Sequence, residues 1–233
     1  MSLETAKDAI QYTYNNIKYL KEKNLLQDLM NPKKDGTIRY HINFFGGEPL
    51  LRYNQVIVPL VEYVETTYPN IFEFGITTNV TLLDKEKVDF FAQHKIGILT
   101  SIDGAEITQC YNRPCRNGDN SFKLVEKNIK YYLEKNPTGC FRSTGYAPTI
   151  QYLFDNYLYA ESLGFKNYAL VLNERDEWTE EQKAILQNQI YKIQFYRFKQ
   201  KINGIPPMNC LQLELTNDGF PHLFDTDCNS TIG

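Results

Sequence analysis

Residues 42–51 read INFFGGEPLL, and this stretch decides the fold we assign to the chain. Apolar residues run into Gly46 and Gly47, a single carboxylate follows at Glu48, and Pro49 restricts the backbone after it. Glycines remove side chains where another group must approach the backbone closely. Bare carbonyls beside a carboxylate form an acceptor-only niche, which suits a ligand ammonium. A loop whose glutamate is simply solvated explains the stretch equally well when it is taken alone.

Strand and helix patterns alternate on both sides of this stretch. Strands are predicted over 38–45, 71–77, 96–102, 140–144 and 168–172. Helices are predicted from Ser2, over 53–67, from Asp84, around 122–132, from about Pro148 to Gly164, and from a Thr179–Gln182 capping box toward Lys201. Leu211, Leu213 and Leu215 alternate before Asn217-Asp218-Gly219, which predicts a hairpin. Repeated strand–helix units indicate a parallel sheet, open or curled into a barrel, whose ligands bind at the carboxyl ends of the strands.

The predicted strand ends carry small polar and charged residues. Thr77-Thr78-Asn79 end the second strand, Ser101-Ile102-Asp103-Gly104 end the third with Arg113 downstream, and Arg142-Ser143-Thr144 lie on the fourth. Each group alone is more typical of a helix cap or a surface ion pair than of a binding site. Together they describe a ligand with an ammonium, a carboxylate and hydroxyls, which is an amino acid joined to a sugar.

In this order and at these intervals, GGEP, TTN, SIDG and the Arg-x-Thr strand resemble the motifs of the radical S-adenosylmethionine superfamily. Within it, the chain is most similar to the anaerobic sulfatase-maturating enzymes and to related peptide-modifying enzymes that carry a C-terminal SPASM extension. The likeness extends over nearly the whole chain. It implies an α/β fold, a partial (β/α)6 barrel lacking its first strand, with a C-terminal β-hairpin.

The resemblance also implies a cofactor site for S-adenosylmethionine. The GGEP segment would hold the methionine ammonium, Ser101 and Arg142 would serve other polar groups of the cofactor, and Asn79 and Asp103 would line the same rim. In intact members of the family a [4Fe-4S] cluster donates an electron, the sulfonium splits, and a 5′-deoxyadenosyl radical abstracts a hydrogen atom from the substrate. The cofactor-binding residues so implied are Gly46, Gly47, Glu48, Pro49, Asn79, Ser101, Asp103 and Arg142.

The chain departs from the family pattern at the cluster. None of its five cysteines forms the family's C-x3-C-x2-C motif, and MSLETAKDAI resembles the helix that follows the cluster loop. Because a cluster needs several thiolates, we expect no cluster in this chain, and we assign no metal ligand. Cys110 and Cys115 have neither the spacing nor the position, and the three histidines, His41, His94 and His222, show no ligand spacing.

Two domains are expected, a truncated radical S-adenosylmethionine core over 1–205 and a hairpin over 206–233 that leads toward a SPASM-like extension. Cys210 and Cys228 flank this hairpin, and two cysteines are too few to hold an auxiliary cluster. A sheet without its first strand would expose an edge beside 38–45. We expect the N-terminal helix or a second copy of the chain, in a homodimer, to cover it.

Composition limits the partners. Lys and Arg number 25 against 28 Asp and Glu, so no basic surface points to nucleic acid. No apolar run approaches the roughly 20 residues that a membrane helix requires. The N-terminus lacks the pattern of a signal peptide, and five cysteines in 233 residues are typical of a reduced protein, which predicts a cytoplasmic location.

The favoured function is a portion of a radical S-adenosylmethionine enzyme that modifies a peptide or protein side chain, as a sulfatase maturase does. We expect this chain alone to be inactive, so its status as an enzyme stays open. Two alternatives also remain: a degenerate, non-catalytic binding module on the same scaffold, and a barrel hydrolase that uses Glu48 and Asp103 as acid and base. The sequence assigns neither the substrate nor a catalytic residue.

Overall fold

The structure is a computed structural model that describes residues 1–25, 39–118 and 120–211. The predicted hairpin at 217–219, Cys228, His222 and most of the expected second domain lie outside these ranges. The chain divides into two units, which are described separately below. The first comprises Met1–Ile76 with Gln93–Ile96, and the second comprises Thr77–Ala92 with Gly97–Gly233.

Helices and strands alternate along the described residues. The strands are β1 Tyr40–Phe44, β2 Phe72–Thr78, β3 Gly97–Ser101, β4 Cys140–Gly145, β5 Asn167–Leu172 and β6 Asn209–Leu211. The α-helices are α1 Leu3–Glu22, α2 Val58–Thr67, α3 Lys85–Gln93, α4 Glu106–Asn112, α5 Ser121–Lys135, α6 Leu153–Leu163 and α7 Glu180–Ile202. Short 3-10 helices occupy Pro49–Arg52 and Ala147–Tyr152, and a π-helical turn occupies Tyr53–Ile57.

The strands form one six-stranded parallel sheet in the order β1-β2-β3-β4-β5-β6, and the sheet is not closed. This confirms the predicted α/β class, and the observed sheet is consistent with a partial (β/α) barrel. The five predicted strands overlap β1 to β5 with small shifts at their ends. Leu211, which we assign to the hairpin from sequence, instead ends β6, where it pairs in parallel with Ala169 of β5. The remainder of the predicted hairpin is not described.

In the first unit, α1 begins at a side-chain cap and packs against α2. The Ser2 hydroxyl accepts a hydrogen bond from the Thr5 N–H at 3.1 Å, and Ala6, Ile10 and Ile17 form the buried face. β1 has β2 as a neighbour on one side, and no other strand of the described residues lies on its opposite side. Pairing of that edge with a second copy of the chain therefore remains a prediction.

In the second unit, aromatic side chains fill the space beside the sheet. The Phe141 and Tyr168 rings stack at a centroid distance of 5.6 Å, and both side chains are completely buried. The buried Tyr132 hydroxyl donates to the Ile98 carbonyl on β3 at 3.1 Å, which fixes α5 against the sheet. α6 ends at Gly164, whose φ of 97° is the left-handed cap that its sequence position predicts.

Two local features differ from the expectations. The predicted helix over 53–67 opens as a π-helical turn, and α2 begins only at Val58. Pro59, which has no N–H to donate, lies in the first turn of α2, where a helix tolerates it. The sequence also gives no clear indication of α4. Its N-cap residue, Ala105, offers no side-chain oxygen, and a helix this short has little periodicity to detect.

No helix among the described residues combines the length and the apolar character that crossing a membrane requires.

The start of α7 provides a stability prediction. The Gln182 N–H donates to the Thr179 hydroxyl at 3.2 Å, and the Thr179 N–H donates to the Gln182 side chain at 3.0 Å. We expect Thr179→Ala to lower the free energy of unfolding by about 1 kcal/mol, because it removes one half of this capping box. Thr179→Ser keeps the hydroxyl and is the control. Equal losses for both variants in urea unfolding would contradict the capping role.

Candidate functional site

The loop that follows β1 presents bare backbone. Gly46 has a φ of 122°, a conformation that side-chain-bearing residues rarely adopt, and it turns the chain away from the strand. Gly46 and Gly47 are both exposed, and apart from the adjoining residues no atom of the described part of the chain lies within 4 Å of the position that a Cβ would take at either residue. Room is therefore left beside the backbone of this loop in the first unit, and its use by a ligand stays a prediction.

Glu48 holds a defined position beside this open backbone. Its Oε1 accepts the Leu50 N–H at 3.1 Å and caps the 3-10 helix that Pro49 opens. The glutamate is half-buried, and Leu50 is buried behind it. A carboxylate beside exposed glycines supplies hydrogen-bond acceptors, which is the chemistry that an ammonium ligand requires.

In the second unit, the end of β2 is shaped by a strained residue. Val80 is completely buried and has a φ of 68°, an uncommon value for a β-branched side chain. The Val80 N–H donates to the Thr78 hydroxyl at 3.1 Å, and its carbonyl accepts from the Asn128 amide at 2.9 Å. Strain of this kind is common at functional sites, and the sequence contains no indication of it.

Asn79 lies at the same strand end and caps its own turn. Its Oδ1 accepts the Thr81 N–H at 3.0 Å and the Thr81 hydroxyl at 2.7 Å. This is the helix-entry geometry that we weigh against a binding role from sequence. The cofactor-rim role of Asn79 stays a prediction.

The ends of β3 and β4 bring three of the predicted residues together. Ser101 and Arg142 are partners in the parallel register, and the Ile102 N–H donates to the Arg142 carbonyl at 3.1 Å. Ser101 is 8% exposed and Arg142 is half-buried. Asp103 follows at once and has no exposed surface. A hydroxyl and a guanidinium thus stand on two adjacent strands, and a carboxylate lies just after the end of β3.

Asp103 forms an ion pair with Arg113, whose partner the sequence alone does not predict. Arg113 Nη2 donates to Asp103 Oδ1 at 3.0 Å. Arg113 Nε lies 2.9 Å from Asp103 Oδ2, close enough for an ion pair although not aligned as a hydrogen bond. The two-point contact explains how a fully buried carboxylate is tolerated.

Gly104 is required for close packing rather than for ligand access. A Cβ at this position would lie 2.1 Å from Asn156 Oδ1, an atom that also accepts the Ala105 N–H at 3.0 Å. Asn156 is buried on α6. The SIDG glycine and the GGEP glycines therefore have opposite environments, the first filled and the second open.

The four described cysteines are free thiols, and their surroundings differ. Cys110 and Cys115 line a cavity of about 290 Å³ beside α5, and the Cys110 thiol donates to Asn120 Oδ1 at 3.3 Å. Cys140 is buried on β4. Burial raises the pKa of Cys210 to about 11, so this β6 thiol is neutral near pH 7.

The described histidines lie beside carboxylates in the first unit. His94 Nδ1 is 2.8 Å from Glu65, and His41 Nδ1 is 3.7 Å from Glu73. Across residues 1–25, 39–118 and 120–211, no three His, Cys, Asp or Glu side chains cluster closely enough to hold a metal ion.

Comparison with known proteins agrees with the motif order. The model of the Radical SAM superfamily matches residues 7–150. An uncharacterized protein of Methanocaldococcus jannaschii is 34% identical over 119 residues, which cover 51% of this chain and 34% of that protein. The family match takes in the GGEP, TTN and SIDG motifs and the Arg142 strand.

Solved structures show the same fold. The anaerobic sulfatase-maturating enzyme anSMEcpe with bound AdoMet superposes with a TM-score of 0.64 at 18% identity, over 76% of this chain and 48% of that one. Streptococcus suis SuiB bound to its precursor peptide SuiA gives a TM-score of 0.52 at 16% identity, over 76% and 39%. The chain thus spans about half the length of anSMEcpe, and a smaller share of SuiB and of the Methanocaldococcus jannaschii protein.

The packing of Gly104 leads to a mutational prediction. Gly104→Ala should lower the free energy of unfolding by about 1–3 kcal/mol, because the new methyl group displaces the Asn156 amide from its bond to Ala105. Chemical denaturation measures the loss. The double variant Gly104→Ala/Asn156→Ala, which removes the clash, should recover part of it. A single variant as stable as the wild type would show that the contact is not tight.

Proposed function

The chain belongs to the radical SAM superfamily, and on this premise we propose that it is part of an enzyme that modifies a peptide or protein side chain. The observation that carries the proposal is the Gly46-Gly47 backbone, which is open on the side where a Cβ would stand. It lies inside the matched residues 7–150, directly before the Glu48 carboxylate.

S-adenosylmethionine is the cofactor that this proposal requires. The Gly46–Pro49 segment would hold the methionine ammonium on exposed carbonyls beside Glu48. Ser101 and Arg142, paired on neighbouring strands, would bind further polar groups of the cofactor. AdoMet is bound in the anSMEcpe structure, which supports this choice.

Together with the family's iron–sulfur cluster, the bound cofactor supplies hydrogen-atom abstraction from a substrate. The described residues offer no three-ligand set for that cluster, so no step is assigned through it. The role assigned to this chain is to bind the cofactor, orient it by its ammonium, and present polar groups at the ends of β3 and β4.

A peptide or protein is the proposed substrate. Support comes from structural neighbours, since anSMEcpe and SuiB have both been solved with peptides bound. Sulfatase maturation is the finer proposal. A cytoplasmic location is also proposed, with the free thiols of the four described cysteines as support.

Two alternatives to an enzyme of this kind are a non-catalytic binding module and a hydrolase. A binding module without catalysis on the same scaffold is the first alternative. Iron content and cofactor cleavage, measured without oxygen, distinguish it from an enzyme. A hydrolase is disfavoured, because a general acid or base must reach its substrate and Asp103 has no exposed surface.

The open glycine backbone provides the test of cofactor binding. Gly47→Ala should weaken binding of S-adenosylmethionine by about tenfold or more, because the methyl group occupies space that the ligand would use. Thermal stability should not change, because no protein atom lies within 4 Å of the new Cβ. Equilibrium dialysis with labelled cofactor and a thermal melt measure the two effects.

Gln55→Ala, an exposed change shortly after the motif, is the matched control and should bind as the wild type does. A wild-type chain that binds no S-adenosylmethionine, or a Gly47→Ala variant with unchanged affinity, would contradict the proposed role of this segment.

A further inference from the structure

We infer that Asp103 is a positioning residue: a buried carboxylate that holds Ser101 and Arg142 in place for the cofactor without touching it. The inference rests on the proposed function and deepens it. It also gives Asp103 a role different from the rim-lining one that the family resemblance implies, because the side chain is completely buried.

The neighbouring strands β3 and β4 end at different heights in the sheet. β3 ends at Ser101, whose partner is Arg142, whereas β4 continues to Gly145 and pairs there with Leu172 of β5. The part of β4 beyond Arg142 therefore has no β3 residue beside it. Its backbone donors on that side need another acceptor, because buried N–H groups are almost always paired.

The Asp103 side chain is that acceptor. Its Oδ1 accepts the Thr144 N–H at 2.9 Å, as a strand carbonyl would. The Ser143 hydroxyl donates to the Asp103 carbonyl at 2.8 Å, so side chain and backbone of one residue bind the end of β4. These contacts lie immediately after Ser101 and Arg142, and they fix the two strand ends to each other.

The buried charge of Asp103 is compensated by the residues around it. An ionised carboxylate without exposed surface is costly unless an opposite charge and hydrogen bonds compensate it. Arg113 does so with contacts of 3.0 and 2.9 Å, and the Asp103 N–H donates to Gln109 at 2.9 Å. Gln109 is buried on α4, and Arg113 caps the end of that helix. The carboxylate thus joins α4 to both strand ends.

The two carboxylate oxygens of Asp103 are turned toward protein groups. Oδ1 of Asp103 accepts from Thr144 and Arg113, and Oδ2 faces Arg113 Nε. Although Oδ2 accepts no hydrogen bond, the Asp103 side chain has no exposed surface on which a cofactor could contact it. Asp103 therefore acts through its neighbours.

The test separates positioning from general stability. Asp103→Asn keeps the shape but removes the charge, and Arg113→Lys keeps the charge but removes the fork. Both should weaken binding of S-adenosylmethionine by about tenfold or more at a temperature where each variant is fully folded. Amide hydrogen exchange at Thr144 should accelerate in Asp103→Asn, because its acceptor is weakened.

Tyr132→Phe is the matched control, because it removes one buried hydrogen bond to β3 at Ile98, away from Ser101. It should lower the melting temperature but leave cofactor affinity and Thr144 exchange unchanged. The double variant Asp103→Asn/Arg113→Lys should bind about as weakly as either single variant, since the two residues act as a unit.

The outcomes are distinct. If the wild type binds the cofactor and Asp103→Asn binds it equally well, the inference is overturned while the proposed function stands. The same holds if affinity falls in Tyr132→Phe in proportion to its stability loss. A wild type that binds no cofactor overturns the proposed function, and the inference with it.

Discussion

The second unit depends on a mismatch between two parallel strands. β3 stops at Ser101 while β4 continues to Gly145, so the end of β4 has a strand partner only on the β5 side. A backbone donor left without an acceptor in a buried position costs about 1–3 kcal/mol. Asp103 removes that cost by accepting the Thr144 N–H, and Arg113 in turn compensates the buried charge. Because β3 ends early, the end of β4 needs another hydrogen-bond acceptor, which Asp103 supplies. The buried charge of Asp103 is in turn compensated by Arg113.

Glycine serves two different physical purposes in the motifs. Gly104 is small because the Asn156 side chain fills the space where a Cβ would be, so the residue is needed for packing. At Gly46 and Gly47 no atom of the described residues, apart from the adjoining ones, lies within 4 Å of the same position, so the two glycines leave space unfilled. Only the second arrangement offers backbone to a ligand, which is why the proposed cofactor site begins there and not at SIDG.

Much of the fold could be predicted because the signals are local. Five strands, the capping box at Thr179 and the left-handed cap at Gly164 each depend on neighbours in sequence. α4 and the parallel β6 were missed because α4 has no side-chain cap and because β6 is defined by its pairing with β5. The strain at Val80 could not be predicted either, since the Asn128 amide that supports it is distant in sequence.

The sequence by itself determined the family, the order of the strand–helix units and the residues at each strand end. It could do so because strand period, turn residues and motif order are written in consecutive positions. Tertiary structure alone decided what those residues do. Asp103 and Arg142 look alike from sequence, as charged groups at strand ends, yet one is completely buried and the other half-buried. Burial and pairing depend on which strands become neighbours and where each one ends, and only the folded chain specifies that.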